Sequence, residues 1–498
     1  MKVLDACAYE HSRTAPVEMI CSLCGKPASL RQTLAEVRRW GLVGHEGIDF
    51  FRANCSSAPR GRPCAERRFA ARPTARLDRP AAALQTGRRL LCGLKACKAV
   101  VEALSFIILA GSVIAALPVA IFLFETVAAM SARERALAPP SSQTTRACVG
   151  VLIPAHDEED ALPATIPKIR LQLRDGDRLL VVADNCSDGT ALLAEGLGAE
   201  VVVRTDPANR GKGFALDRGI RHFAGDPPEI VVVIDADCTL SDFAIDHLAE
   251  MCHATNRPVQ ALDLMLSGPG ATQVTRLREF AWRVKNEIRP RGLSSLGLPC
   301  QLMGTGMAFP WELIARASLA TGALVEDLKL GLELAADGRP PVFCPAAVVS
   351  SEFPATGEGS RSQRLRWEQG HLGLIATEIP GFLANAIRRR NVNLLVLALD
   401  AAVPPLSLLS MTVLFFLLLG AGAWRMGMGS TAFVISLMAI IGLTMATIGC
   451  WLKVGRDLVP PTSVFSIAGA ILTKIPFYCR ILFQRNRNGW IRTDRRKS

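Results

Sequence analysis

Two carboxylates one residue apart, Asp235 and Asp237, close a run of β-forming residues, Ile230-Val-Val-Val-Ile234. A run so apolar reads as a parallel strand covered on both faces. Open α/β sheets bind ligands just outside the carboxyl ends of such strands. At i and i+2 the two side chains can turn toward one hard cation, and a divalent ion held there can clamp a diphosphate. Standing alone, the D-x-D pattern also describes an ordinary solvated loop. Two further acidic residues narrow the choice. Asp157 follows Val151-Leu-Ile-Pro154, and Asp184 follows Leu179-Leu-Val-Val-Ala183. Three successive strands would therefore each deliver a carboxylate to one edge of a sheet.

The neighbouring residues suit a nucleotide. Within Ala183-Asp-Asn-Cys-Ser-Asp-Gly-Thr190, Asp184 can accept hydrogen bonds from a uracil or a ribose, while Ser187, Asp188 and Thr190 suit a helix cap. Asn209-Arg-Gly-Lys-Gly213 opens a helix with glycines and a cation, Lys212, which fits phosphate or sugar contacts and equally fits a plain loop.

The elements that must position these groups follow from hydrophobic patterning. Strands are expected over residues 148–154, 179–183, 200–204, 230–234 and 260–266, with helices over 161–173, 189–197 and 213–223. Alternation of this kind with right-handed crossovers gives an α/β, doubly wound, mostly parallel sheet.

The rest of the chain has a different character. Mean hydropathy is +0.26 over 498 residues, with the apolar excess gathered into a few segments. Residues 101–130, 403–424 and 431–452 are each long enough to cross a bilayer. Residues 463–483 carry Lys474 and Arg480, and each central cation costs about 2.5–3.5 kcal/mol to insert. That segment is expected to lie on the membrane surface as an amphipathic helix, followed by a basic tail, 484–498. Three spans then place the sheet domain, 147–392, in the cytoplasm. Residues 1–98 are basic, lack a sustained period and read as disordered, with no signal-peptide pattern after Met1. Their placement outside runs against the positive-inside tendency, which fits a non-native N-terminus.

The net charge of +12 could suggest nucleic acid, but the chain has two tyrosines and no recognised nucleic-acid motif, so no nucleic acid is expected as a partner. Fifteen irregularly spaced cysteines make no disulfide framework. Cys21-Ser-Leu-Cys24 has no second pair at zinc spacing, and Cys55 and Cys64 do not supply one.

Five motifs occur together in order: Pro154-Ala-His-Asp-Glu-Glu159, Ala183-Asp-Asn-Cys-Ser-Asp-Gly-Thr190, Asp235-Ala-Asp237, Val325-Glu-Asp327 and Gln363-Arg-Leu-Arg-Trp367. In these the chain resembles the membrane-embedded family 2 glycosyltransferases, the branch that includes cellulose and hyaluronan synthases. The resemblance covers about residues 147–390 and the flanking spans. It implies a GT-A fold, a nucleotide-diphospho-sugar donor, expected to be UDP-linked, and Mg²⁺ or Mn²⁺. By the same resemblance Asp157 and Asp184 hold the nucleotide, Asp235 lies beside the diphosphate, Asp237 is the metal ligand and Asp327 is the catalytic base.

Chemistry agrees with that last role, because inversion at an anomeric carbon needs a base on the face opposite the departing diphosphate. Glu326-Asp327 also reads as an acidic pair stabilised at a helix N-terminus. Gln363, Arg366 and Trp367 match the family's acceptor-end signature: the indole can stack on a sugar and Arg366 can meet the diphosphate. The same segment also reads as an amphipathic helix with an interfacial tryptophan. Gly304-Thr-Gly306 resembles the loop beneath the sugar pocket.

The expected function is an inverting, metal-dependent hexosyltransferase of the inner (plasma) membrane, extending a β-linked exopolysaccharide. Three spans are fewer than the synthases that form their own polymer channel possess. That leaves two alternatives: a separate secretion or translocation partner, or single sugar transfer to a lipid-linked acceptor.

Overall fold

A computed structural model describes residues 80–132, 146–322, 324–353, 357–463, 469 and 474–478, together with 19–20 and 27–28. The chain divides into two units, residues 1–104 and 105–498. In the first, β1 (Met19–Ile20) pairs antiparallel with β2 (Pro27–Ala28). The cysteine pairs of the N-terminal region, most of the 463–483 segment and the basic tail lie outside the described residues.

Helix α1 (Pro80–Ser131) begins inside the region expected to be disordered. Its opening residues, Pro80-Ala-Ala-Ala-Leu-Gln, explain this, with proline at the first helical position and strong helix formers behind it.

The second unit holds an eight-stranded sheet in the order β5-β4-β3-β6-β9-β8-β10-β7. Its strands are β3 (Val149–Ala155), β4 (Arg178–Asp184), β5 (Glu200–Arg204), β6 (Ile230–Val233), β7 (Thr239–Leu240), β8 (Val259–Leu266), β9 (Met307–Pro310) and β10 (Val342–Glu352). The parallel half, β5-β4-β3-β6, matches the expected alternation. It is crossed by α2 (Leu162–Arg170), α3 (Thr190–Gly196) and α4 (Lys212–Phe223), with α5 (Ala244–Thr255) following β7. Its strands are apolar at almost every position because both faces are covered. Val151, Ile153 and Val181 pack into one cluster and Leu152, Leu180 and Val182 into the other.

The sheet is not parallel throughout. β9 lies antiparallel between β6 and β8, and β7 antiparallel to β10. Neither β9 nor β10 was expected. β9 is only four residues long, and β10 has a register break between Cys344 and Val348 that interrupts its alternation.

Beyond the sheet run α6 (Gln273–Arg283), a π-turn (Val284–Ile288), α7 (Arg289–Ser295), α8 (Trp311–Ile314), α9 (Glu326–Ala336), α10 (Gly357–Thr377), α11 (Ile379–Arg389) and α12 (Val392–Ala401). Then come α13 (Leu406–Arg425) and α14 (Thr431–Cys450).

Among the described residues three helices are long and apolar enough to cross a membrane: Lys98–Ser131, Leu406–Arg425 and Thr431–Gly455. Only 22–33% of each apolar window is buried, so most of that surface faces outward. The three pack where small residues allow close approach. Gly111 sits under Phe416, Gly420 against the Phe433 backbone, and the Ser112 and Ser436 hydroxyls meet at 3.1 Å.

A buried ion cluster joins this bundle to the sheet domain. Arg289 donates Nε to Glu125 Oε2 at 2.7 Å and Nη2 to the Asp400 carbonyl at 2.6 Å, and it pairs with the Asp400 carboxylate, which also takes Gln301 Nε2 at 2.7 Å. Glu125, which the sequence places near the end of a span, is therefore fully buried and paired. Removing one member of such a cluster strands the others. Arg289→Met is expected to destabilise the fold by about 3–5 kcal/mol in detergent-based unfolding, and Glu125→Gln added to it should recover part of the loss.

Candidate active site

β4, β3 and β6 are neighbours, so their carboxyl ends open together. The cleft there measures about 850 Å³, including open solvent, and is lined by His156, Asp184, Arg210, Lys212, Asp235, Asp237 and Arg366. Five of the sequence-derived residues, Asp184, Lys212, Asp235, Asp237 and Arg366, meet here from four separate elements.

Asp184 ends β4 and accepts Arg204 Nη1 at 2.6 Å, because Arg204 stands opposite it in register at the end of β5. His156 Nδ1 lies 2.7 Å from the Asp184 carbonyl oxygen. Lys212, in the first turn of α4, pairs with Asp235 Oδ1 and donates to the Gly304 carbonyl at 2.8 Å. Burial pulls the Lys212 pKa down, but Asp235, Glu326 and Asp327 outweigh it, and the amine stays charged above its usual range. The Asp235 N–H donates to Thr305 Oγ1 at 3.0 Å, tying the end of β6 to the glycine loop.

A second hollow shares Lys212 with the cleft and is lined by Gly304, Glu326 and Asp327. Gly304 and Gly306 both have positive φ, +91° and +64°. A Cβ at Gly304 would sit 3.3 Å from Asp327 Oδ2 and 3.6 Å from Lys212 Nζ, crowding both side chains. Burial raises the pKa of Asp327, and Leu328 N–H, Lys285 and Lys212 oppose the rise. Burial and then Asp327 push the neighbouring Glu326 up to about 7.

Three expected residues stand apart from the cleft. Asp157, at φ +52°, turns its carboxylate to Ser187 N–H at 2.6 Å and Ser187 Oγ at 3.2 Å, so it braces the loop after β4. Gln363 is buried within α10. The Trp367 ring packs on Trp282, with centroids 5.2 Å apart. Asp157, Cys186 and Asp188 bring ligand atoms within 4.8 Å of one another, but Ser187 engages Asp157 and Thr190 N–H engages Asp188 at 3.0 Å. That cluster is explained as loop scaffolding.

Asp235 and Asp237 fit a divalent cation better. Their donors are hard carboxylate oxygens at the mouth of the cleft, and Asp263 lies behind them close enough to feel both charges. Two hard carboxylates one residue apart suit Mg²⁺ or Mn²⁺ completed by phosphate oxygens.

Asp263 is buried on β8, where its Oδ2 accepts Asn286 Nδ2 at 3.0 Å. Burial, then Asp235, push its pKa up to about 8 against the pull of Lys285 and Lys212. Because the folded value lies above the unfolded one, the associated stability is complete at low pH and is lost as pH rises through about 8. Asp263→Asn should therefore gain thermal stability relative to the wild type as metal-free buffer is taken from about pH 5 to about pH 9. A difference in melting temperature that stays constant with pH would contradict this assignment.

A profile of the family "Glycosyltransferase like family 2" matches residues 146–370, which contain every residue of the cleft and the hollow. A Mycobacterium bovis protein, "Uncharacterized glycosyltransferase Mb0553", is 31% identical over 204 residues, covering 37% of this chain and 85% of that protein. The chain belongs to glycosyltransferase family 2. "Probable glycosyltransferase YdaM" of Bacillus subtilis is 28% identical over 247 residues, 45% of this chain, and the chain spans 55% of its length. Among solved structures, a mannosyltransferase from Pyrobaculum calidifontis in complex with GDP-Man and Mn²⁺ aligns at 19% identity with a TM-score of 0.46. The alignment covers 78% of this chain and 100% of that one.

For this glycosyltransferase, sequence reasoning missed several supports of the site. Gln260, fully buried, donates Nε2 to the Thr305 carbonyl at 2.9 Å and accepts the Met303 N–H at 2.8 Å, holding the glycine loop from beneath. A polar residue inside an otherwise apolar strand was a visible signal for it. Arg204 could have been found as the basic end of the strand next to Asp184. Nothing in the sequence pointed to Asp263 or Lys285.

Proposed function

We propose that this chain moves a sugar with inversion from a nucleotide-diphospho-sugar, read as UDP-linked, to a growing β-linked exopolysaccharide at the inner membrane. The observation that carries the reading is the joined pair of hollows. Asp184, Lys212, Asp235, Asp237 and Arg366 line the cleft, and Lys212 also lines the hollow that holds Gly304 and Asp327.

In this mechanism Asp184 orients the nucleoside and is itself held by Arg204. Lys212 and Arg366 bring positive charge to the diphosphate. Asp235 and Asp237 would hold Mg²⁺ or Mn²⁺, which supplies charge against the diphosphate as it departs. Gly304 leaves room for the sugar ring, and Asp327 takes the proton from the acceptor hydroxyl on the opposite face.

The three long apolar helices support a multi-pass membrane enzyme with this domain cytoplasmic. Their small number favours a second reading of the acceptor, single transfer to a lipid-linked sugar, or else a separate translocation partner.

The test is release of the nucleoside diphosphate by the purified full chain in nanodiscs. UDP-sugars and GDP-sugars are supplied in turn with Mn²⁺ or Mg²⁺, and products are sized by mass spectrometry. A ladder of products supports the polymer and one added sugar supports the lipid-linked acceptor. Failure to bind any nucleoside diphosphate with metal would overturn the donor-site reading.

A further inference from the structure

Asp184 is held in a closed ring with Arg204, Asp206 and Asn185. Arg204 Nη1 donates to Asp184 Oδ1 at 2.6 Å, and Asn185 Nδ2 donates to the same oxygen at 3.0 Å. Arg204 Nη2 donates to Asp206 Oδ2 at 2.9 Å and to the Asn209 carbonyl at 2.8 Å, and the guanidinium lies over the Phe214 ring, 5.3 Å from its centroid. The ring closes where the Asp206 N–H donates to Asn185 Oδ1 at 2.8 Å. That bond also fixes the Asn185 amide: its oxygen takes the Asp206 N–H, so its nitrogen is the end that meets Asp184. Asn185 reaches both partners from a left-handed backbone, φ +54°, with its own N–H on the Arg204 carbonyl at 2.7 Å.

The two oxygens of this carboxylate are therefore unequal. Each has two lone pairs, and both of those on Oδ1 are taken. Oδ2 accepts no hydrogen bond among the described residues, and Asp184 belongs to the wall of the cleft. Nucleobase edges differ in what they ask of such a group. Guanine presents two adjacent donors, N1–H and the N2 amine, and a carboxylate matches both only with both oxygens open. Uracil presents one donor, N3–H, between two carbonyls, and needs a single oxygen. Asn185 also lines the cleft, and the second N–H of its amide suits the neighbouring carbonyl of uracil. Guanine would bring its amine against the guanidinium and amide donors gathered on Oδ1, leaving an N–H unpaired.

We propose that Arg204 and Asn185 set the choice of nucleobase: by occupying Asp184 Oδ1 they leave one acceptor, and the site selects uracil over guanine. The proposal rests on the donor-site reading above and deepens it from a nucleoside diphosphate to a base. Arg204 acts through Asp184 and is a positioning residue. The Arg204 and Asp184 side chains are 13% and 9% exposed, so water competes little for the bond between them. Asp206 and Asn209 hold the guanidinium from its other side, which keeps it from swinging away to reopen Oδ1.

The experiment titrates the full chain in detergent with UDP and with GDP in Mn²⁺ by calorimetry, and reads the ratio of the two Kd values. The wild type is expected to bind UDP at least about tenfold tighter than GDP. Arg204→Met with Asn185→Gly reopens Oδ1, and glycine keeps the left-handed backbone at 185. This double variant should bring the ratio to within about threefold, and Asn185→Gly alone should lower it part of the way. A merely structural role would weaken both nucleotides together and leave the ratio as it was. An unchanged ratio in the double variant, or in Asn185→Gly alone where the double variant fails to fold, overturns the proposal. So does a wild type that binds GDP as tightly as UDP, a result that spares the donor site and removes only the choice of base. Binding of neither nucleotide by the wild type would bring down the donor-site reading and this proposal with it.

Discussion

Asp327→Asn is expected to lower kcat by about 10²–10⁴-fold, the range usually supplied by a positioned general base, while the Kd for the nucleoside diphosphate stays within about twofold. Asparagine keeps the size of the side chain and the capping contact with the Leu328 N–H but cannot take a proton. The carboxylate shares the hollow with Glu326 and Glu333, and burial pushes the pKa values of Asp327 and its neighbour Glu326 upward. A base must be ionised to act. The raised value therefore predicts that kcat/KM of the wild type is still climbing with pH above the ordinary carboxylate range. Glu326→Gln separates the two groups. If Asp327 is the base, Glu326→Gln shifts this limb toward lower pH, because the negative neighbour that favours protonation is gone, and leaves most of kcat. Should Glu326→Gln abolish turnover while Asp327→Asn leaves it within threefold, the roles assigned to the pair are reversed.

Asp237→Ala should remove metal-dependent donor binding and cost about 10²-fold or more in kcat/KM, equivalent to several kcal/mol of lost charge stabilisation. Asp235 cannot substitute for it fully, since one of its oxygens is engaged by Lys212. The sign of the effect follows from the charge balance. Without metal, Asp235 and Asp237 oppose the charge of the diphosphate that Lys212 and Arg366 attract. With Asp237 gone, one carboxylate fewer opposes the phosphates, and UDP binding in chelator should weaken less than UDP binding in Mn²⁺. Calorimetry with Mn²⁺ and with chelator checks this. Equal affinities in Mn²⁺ for wild type and variant would remove Asp237 from the metal-binding role.

Parallel strands with apolar residues on both faces carry their identity in the sequence, because each must be buried twice. The four strands from β3 to β6 were accordingly readable to within about a residue or two at their ends. The carboxylates at their carboxyl ends were readable for the same reason. β9 was not readable, because a four-residue strand acquires its ladder only from β6 and β8, which are distant in sequence. Trp367 was legible as an aromatic in a motif but not as the partner of Trp282, since that contact depends on how α6 crosses α10.

By itself, then, the sequence determined the kind of chemistry: acidic residues after successive strands, a D-x-D pair, an acidic pair before a helix and long apolar segments, all local patterns. Tertiary structure alone decided which groups meet. It joined Lys212 to Asp235, set Arg204 against Asp184, and placed Gly304 against both Lys212 and Asp327. It also turned Asp157 into a loop brace and put Asp263 and Lys285 within electrostatic reach of the site. The physical reason is the same in each case. A side chain's type is written in the chain, but its charge partners and desolvation arise only when remote elements are packed together.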